Sequence, residues 1–164
     1  MAAILCGCAS SPSTNTGAVQ EATATAIENA TLARWTGSFQ PTQSRTGDAM
    51  ATDRQRAYGT IELIVSRDRP DRTRVRLTVS TPLSAAISTL RWGIYPGSCG
   101  AGSPPVIPAE AFPVIDLGND GRGSIDQEFA FEMPTERTLH ANVLQGSGTQ
   151  LSNVLTCANL RRAK

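Results

Sequence analysis

The chain is short of the residues that most often carry chemistry. It has one lysine, Lys164, and one histidine, His140, in 164 residues. A redox copper site needs several imidazoles to fix its geometry and potential, and one histidine cannot supply them. No Gly-x-Ser-x-Gly elbow is present, so a Ser-His-Asp hydrolase would have to rest on His140 alone. There is no run of about 20 apolar residues of the kind that crosses a membrane as a helix. No long amphipathic helical stretch stands out, and there is no internal repeat. The formal net charge is +1, which sets up no strong field toward nucleic acid.

What the chain does have is Val, Thr, Ser, Gly and Pro in short alternating runs, which points to an all-β domain. Its length suits one ordinary domain with a real core. Ala33–Phe39 is a predicted first strand with Trp35 and Phe39 inward. Tyr58–Arg67 alternates with Ile61, Leu63 and Val65 on one face, and Thr73–Ser80 with Val75, Leu77 and Val79. Between them RDRPDR is a turn, because Pro70 cannot join a ladder, so the two strands are expected to form an antiparallel hairpin.

Leu90–Tyr95 is a further strand, with Leu90, Trp92 and Ile94 on one face, ended by Pro96 and Gly97 and followed by Cys99. A long Gly/Pro loop leads to a short strand at Val114–Leu117. Asn119-Asp120-Gly121 is a turn signal, since these residues tolerate positive φ. Gly123–Met133 follows with Ile125, Gln127, Phe129 and Phe131 on one face. Arg137–Leu144 supplies Leu139, Ala141 and Val143, which turns His140 outward. Leu151–Leu160 closes the chain. Trp35, Trp92, Phe112, Phe129 and Phe131 are expected in the core. About eight short strands separated by such turns argue for an antiparallel Greek-key β-sandwich or flattened barrel.

Four cysteines fall into two pairs: Cys6 and Cys8 near the start, Cys99 and Cys157 beside strands. A long-range Cys99–Cys157 disulfide would place the domain in an oxidising compartment; the alternative is two free core cysteines. Leu5-Cys6-Gly7-Cys8 resembles the lipobox of bacterial lipoproteins, and Ala9–Thr25, poor in large apolar residues, suits a tether. That resemblance implies a lipid on Cys8, membrane attachment through it, and a cell-envelope location facing the periplasm or cell surface. A secretory signal needs a charged segment and about 7–15 apolar residues. Only Met1–Leu5 precede the box, so either the true start lies upstream or the match is fortuitous. The resulting division is residues 1–8 as signal remnant, 9–32 as polar tether and 33–164 as β-domain.

Trp92-Gly93-Ile94-Tyr95-Pro96-Gly97-Ser98-Cys99 has the spacing of the His-x-His-x-x-Gly-x-Cys stretch of bacterial copper-zinc superoxide dismutases. With the NDGRG turn and Thr156-Cys157-Ala158, the segment Leu90–Leu160 resembles that β-sandwich family and its chordin-repeat relatives. The resemblance implies the scaffold and the Cys99–Cys157 pairing. It does not imply the chemistry, because Trp92 and Ile94 stand at the two histidine positions and no metal ligand carries over.

Three candidate sites remain. Seven arginines lie between Arg54 and Arg76, and Arg67, Arg69, Arg72, Arg74 and Arg76 are a candidate anion-binding patch for polysaccharide or lipid headgroups. The competing reading is a solvated hairpin face with salt-bridged arginines, given Asp53, Asp68 and Asp71 among them. Glu110, Asp116, Asp120 and Asp126 are a candidate calcium group, although their spacing matches no calcium loop and local hydrogen bonding accounts for turn acids. His140 is a candidate base, set against an ordinary surface histidine. No catalytic residue, metal or cofactor is expected. The function expected is a non-enzymatic, lipid-anchored envelope protein that binds an envelope protein or glycan or acts as a structural accessory, with no nucleic-acid partner. The alternatives are a metal-dependent redox enzyme of the dismutase kind and a hydrolase using His140.

Overall fold

The computed structural model describes residues 31–41, 57–82, 87–134, 137–146 and 154–163. The lipobox, residues 9–30 of the expected tether, Arg54 and Arg56 lie outside these residues, while Thr31 and Leu32, expected at the end of the tether, belong to the first strand. Eight strands follow in order: β1 (Thr31–Pro41), β2 (Tyr58–Ser66), β3 (Thr73–Ser80), β4 (Thr89–Pro96), β5 (Ile115–Asp116), β6 (Arg122–Phe129), β7 (Leu139–Leu144) and β8 (Val154–Arg162). No α-helix occurs among the described residues; Ala109–Ala111 makes a single 3-10 turn in the long loop.

The β2–β3 hairpin forms as predicted, in a register that pairs Ile61 with Leu77 and Leu63 with Val75. The inward residues Ile61, Leu63, Val65, Val75, Leu77 and Val79 are at most 4% exposed. Burying each contributes about 1.5–3 kcal/mol, more than the turn between the strands can supply. That turn is held by the Arg72 amide, which donates to the Arg69 carbonyl at 3.1 Å.

All eight strands belong to one antiparallel sheet in the order β5-β4-β7-β8-β1-β2-β3-β6. Its two ends, β5 and β6, are consecutive in the chain and joined by the Asn119-Asp120-Gly121 turn. There the Gly118 amide donates to the Arg122 carbonyl at 2.8 Å, and Gly121 takes φ +73°. The sheet therefore curls into a nearly closed barrel. The β3–β4 and β6–β7 connections each skip two strands, which is the Greek-key feature. At the seam, a Cβ on Gly123 would meet Ile115 Cγ2 at 2.5 Å and the Asp116 carbonyl at 2.7 Å, so the glycine lets β5 and β6 close. The interior holds Trp35 and Phe39 with the hairpin aliphatics, and Trp92 packs edge-on against Phe112 and Phe129.

Two expectations about side-chain direction are corrected. His140 was expected to point to solvent, but it is fully buried. Every residue of β7 is buried, because the chain after β4 folds over the outer face of β4 and β7. Gln127 was expected inward beside Ile125, but it is exposed. β5 has only two residues, so it covers the start of β6 and leaves Gln127 beyond its reach.

Candidate functional site

Cys99 and Cys157 are bonded, with Cα atoms 5.9 Å apart. The bond anchors the chain leaving β4 onto β8. The Cys99 amide donates to Asn159 Oδ1 at 2.9 Å, and the Gly97 amide to the Thr138 carbonyl at 2.7 Å. The anchored segment stands as a wall beside the outer face of β8, β1 and β2. Against it lies a groove of about 820 Å³, lined by Thr36, Ser38, Gln40, Thr60, Asn159 and Arg161 among others. A second depression of about 410 Å³ continues across β3 and β6, bounded by Tyr58, Thr78, Ser80, Arg122 and Ser124.

Strand register explains why this face is polar in bands. Ser38 pairs with Thr60, Thr60 with Thr78, and Thr78 with Ser124. Four hydroxyl side chains thus form one row across β1, β2, β3 and β6, at the strand spacing of about 4.8 Å. Thr60 Oγ1 and Thr78 Oγ1 lie 3.0 Å apart and link the two depressions. The next band runs Thr36, Glu62, Arg76, Asp126.

The hairpin arginines are engaged with carboxylates. Arg74 donates two hydrogen bonds to Asp126, at 2.6 and 2.8 Å. This hydrogen bonding holds the Asp126 carboxyl below the usual carboxylate range and the Arg74 guanidinium above its own. Arg76 bridges Asp126 at 3.5 Å and Glu62 at 3.6 Å, and Glu62 also pairs with Arg34. Glu128 receives Arg69 at 2.9 Å and Arg72 at 3.4 Å. Arg67 Nε lies 3.5 Å from the Thr31 carbonyl. Four of the five arginines singled out in the sequence, Arg69, Arg72, Arg74 and Arg76, are thus the basic half of a cross-strand ion-pair ladder, and Arg67 turns to a backbone carbonyl.

The other sequence candidates are dispersed. Asp120 Oδ1 accepts from the Arg122 amide at 3.1 Å within its turn, Asp126 belongs to the ladder, and Asp116 and Glu110 sit on β5 and the 3-10 turn. Among the described residues no three His, Cys, Asp or Glu side chains group as metal ligands. Trp92 and Ile94 are core residues, and Trp92 Nε1 donates to the Pro113 carbonyl at 2.8 Å.

His140 is sealed under the wall. Its ring stacks on Tyr95, with centroids 5.4 Å apart. Gly93 makes room for that tyrosine: a Cβ there would meet its ring and hydroxyl at 3.1 Å. His140 Nδ1 lies 3.0 Å from the Gly97 carbonyl, and Nε2 lies 3.4 Å from Asn142 Nδ2. The carbonyl requires a hydrogen on Nδ1 and the amide NH₂ requires a lone pair on Nε2, so the neutral Nδ1–H tautomer fits both. Burial pushes the imidazole pKa below its usual 6.5, and the Gly97 hydrogen bond opposes this only in part.

A folded-state pKa below the unfolded value means the unfolded chain takes the proton first. Stability is full above about pH 6.5 and falls as the pH drops below it, by at most about 1.4 kcal/mol per pH unit. Urea midpoints measured from pH 7.5 to 5 should fall more steeply in the natural protein than in His140→Gln. Parallel profiles would show that His140 is not the group responsible.

The groove and its hydroxyl row had only partial sequence signals. The alternating Thr and Ser of β2 and β3 were visible, but their alignment with Ser38 and Ser124 depends on pairings between distant strands. Compared with protein-family models, with curated proteins and with solved structures, the chain matches none of them.

Proposed function

We propose that this protein is a non-enzymatic module of the bacterial cell envelope, lipid-anchored through Cys8, that binds an envelope partner on the outer face of its barrel. The observation that carries the binding reading is the groove of about 820 Å³ walled by the disulfide-anchored segment. Its lining combines Pro41, Ile61 and the disulfide with hydroxyl, amide and charged side chains, and clefts with an apolar floor and a few placed polar groups are the usual form of a recognition site. A disulfide-stapled wall supports an oxidising compartment, and the LCGC sequence followed by a polar stretch supports the anchor.

The test is expression of the gene, with its upstream DNA, in a bacterial host, followed by membrane fractionation and mass spectrometry of the mature N-terminus. The expected product begins at Cys8 and carries acyl chains, and Cys8→Ser abolishes both the lipid and membrane retention. A cytoplasmic product with an unmodified Met1 would remove the anchor and the location together.

A further inference from the structure

Five arginines project outward from β8, β1, β3 and β6, namely Arg34, Arg74, Arg76, Arg122 and Arg161, and the same face carries three carboxylates, Glu62, Asp126 and Glu128. All three carboxylates are already in ion pairs with arginines. Two of the five arginines, at opposite corners of the face, stand outside this ladder. Arg161, on β8, lines the larger depression and makes no ion pair among the described residues; Arg122, on β6, lines the smaller one and makes only a long, solvent-exposed ion pair with Asp120, at 4.0 Å. Between these corners runs the uncharged row Ser38–Thr60–Thr78–Ser124, continued on β8 by Asn159. Tyr58, 46% exposed, lies one band to the side.

We propose that this row binds an acidic polysaccharide laid across the strands from β8 to β6, with its carboxylates at Arg161 and Arg122 and a sugar face against Tyr58. The ligand class follows from complementarity of charge and hydrogen bonding. Hydroxyls both donate and accept, so a row of them matches the hydroxyls of a sugar chain whatever their orientation. The repeat of the row, about 4.8 Å, is close to the length of one sugar in an extended chain, so successive residues meet successive strands. Guanidinium groups at the two ends suit planar carboxylates, which they grip through paired hydrogen bonds. An exposed tyrosine offers an apolar ring for the C–H face of a sugar and a hydroxyl for its edge. The central arginines of the face, Arg34, Arg74 and Arg76, are held in ion pairs with Glu62 and Asp126 rather than free to anchor a protein partner.

The proposal rests on the binding reading above, and its failure can be told apart from that reading's failure. The probe is sodium hexagalacturonate, titrated into the full chain with amide shifts followed by NMR, and maltohexaose is the neutral control. Shifts are expected at Ser38, Thr60, Thr78 and Ser124, weakening as salt is raised. The double variant Arg122→Ala/Arg161→Ala should bind at least about tenfold more weakly at an unchanged melting temperature. Thr78→Val, which keeps the side-chain shape, should weaken binding without moving the fold.

Absence of shifts on this face overturns the proposal. If Cys8 lipidation is nevertheless found, the envelope reading stands and only the ligand class and its site are wrong. Equal binding of maltohexaose overturns the acidic specificity, and undiminished binding by the arginine variant overturns the role of the two corners.

Discussion

Reduction of the Cys99–Cys157 bond is expected to lower the melting temperature by roughly 10–20 °C, the shift that about 4 kcal/mol produces in a domain of this size. The bond spans a sequence separation of 58, and in the chain-entropy model closing such a loop removes about that much unfolded-state freedom. The Cα separation of 5.9 Å lies inside the ordinary range for a disulfide, so the backbone need not move to make the bond. A loss of this size is a large share of a typical domain stability of about 5–15 kcal/mol.

The damage should also be local. The bond holds the wall that covers His140, Tyr95 and Asn142 and bounds the larger groove, so reduction should speed amide exchange at Gly97–Ala101 before the β2–β3 hairpin opens. Differential scanning calorimetry with and without reductant, with free thiols counted, gives the answer. The double variant Cys99→Ala/Cys157→Ala should show the same lowered transition and no response to reductant. An unchanged transition with both thiols free would mean the remaining contacts alone hold the wall.

Gly59→Ala is expected to cost about 3 kcal/mol or more, at the upper end of overpacking effects. Gly59 pairs with Phe39 on one side and Val79 on the other, in the middle of the sheet. A Cβ built on it would lie 1.9 Å from the Thr78 carbonyl oxygen and 2.8 Å from its carbon. The obstacle is backbone, so no rotamer change relieves it. β2 and β3 would have to part beside Thr60 and Thr78, which would also break the hydroxyl row. Gly100→Ala provides the comparison. Nothing lies within 4 Å of a Cβ at Gly100, and its φ of +89° is the only obstacle, for a cost of about 1–2 kcal/mol. Chemical denaturation of both variants should therefore separate them clearly, with Gly59→Ala the less stable. Equal losses would show that the β2–β3 ladder yields at Gly59 without cost.

The hairpin, the Asn-Asp-Gly turn, the aromatic core and the number of strands were legible because each depends on local chemistry. A period of two assigns residues to a face, Pro70 and Gly121 stop or turn the chain, and apolar side chains leave water. What that period cannot say is whether the second face of a strand is also covered. β7 alternates in sequence like a half-exposed strand, yet the segment pinned by Cys99 closes over it and buries His140. Nor does it say how far a neighbour extends, which is why Gln127 lies exposed beyond a two-residue β5. The arginines between Arg67 and Arg76 were visible as a run, but their acidic partners Asp126 and Glu128 lie about fifty residues further along the sequence and meet them only through the β3–β6 pairing. The sequence by itself determined an all-β domain and the inward faces of β1, β2, β3 and β4. The tertiary structure alone decided the closure of the barrel, the burial of His140 and the alignment of Ser38, Thr60, Thr78 and Ser124, because each depends on how separate segments meet: the register of each strand pair, the β3–β6 pairing and the segment pinned by Cys99.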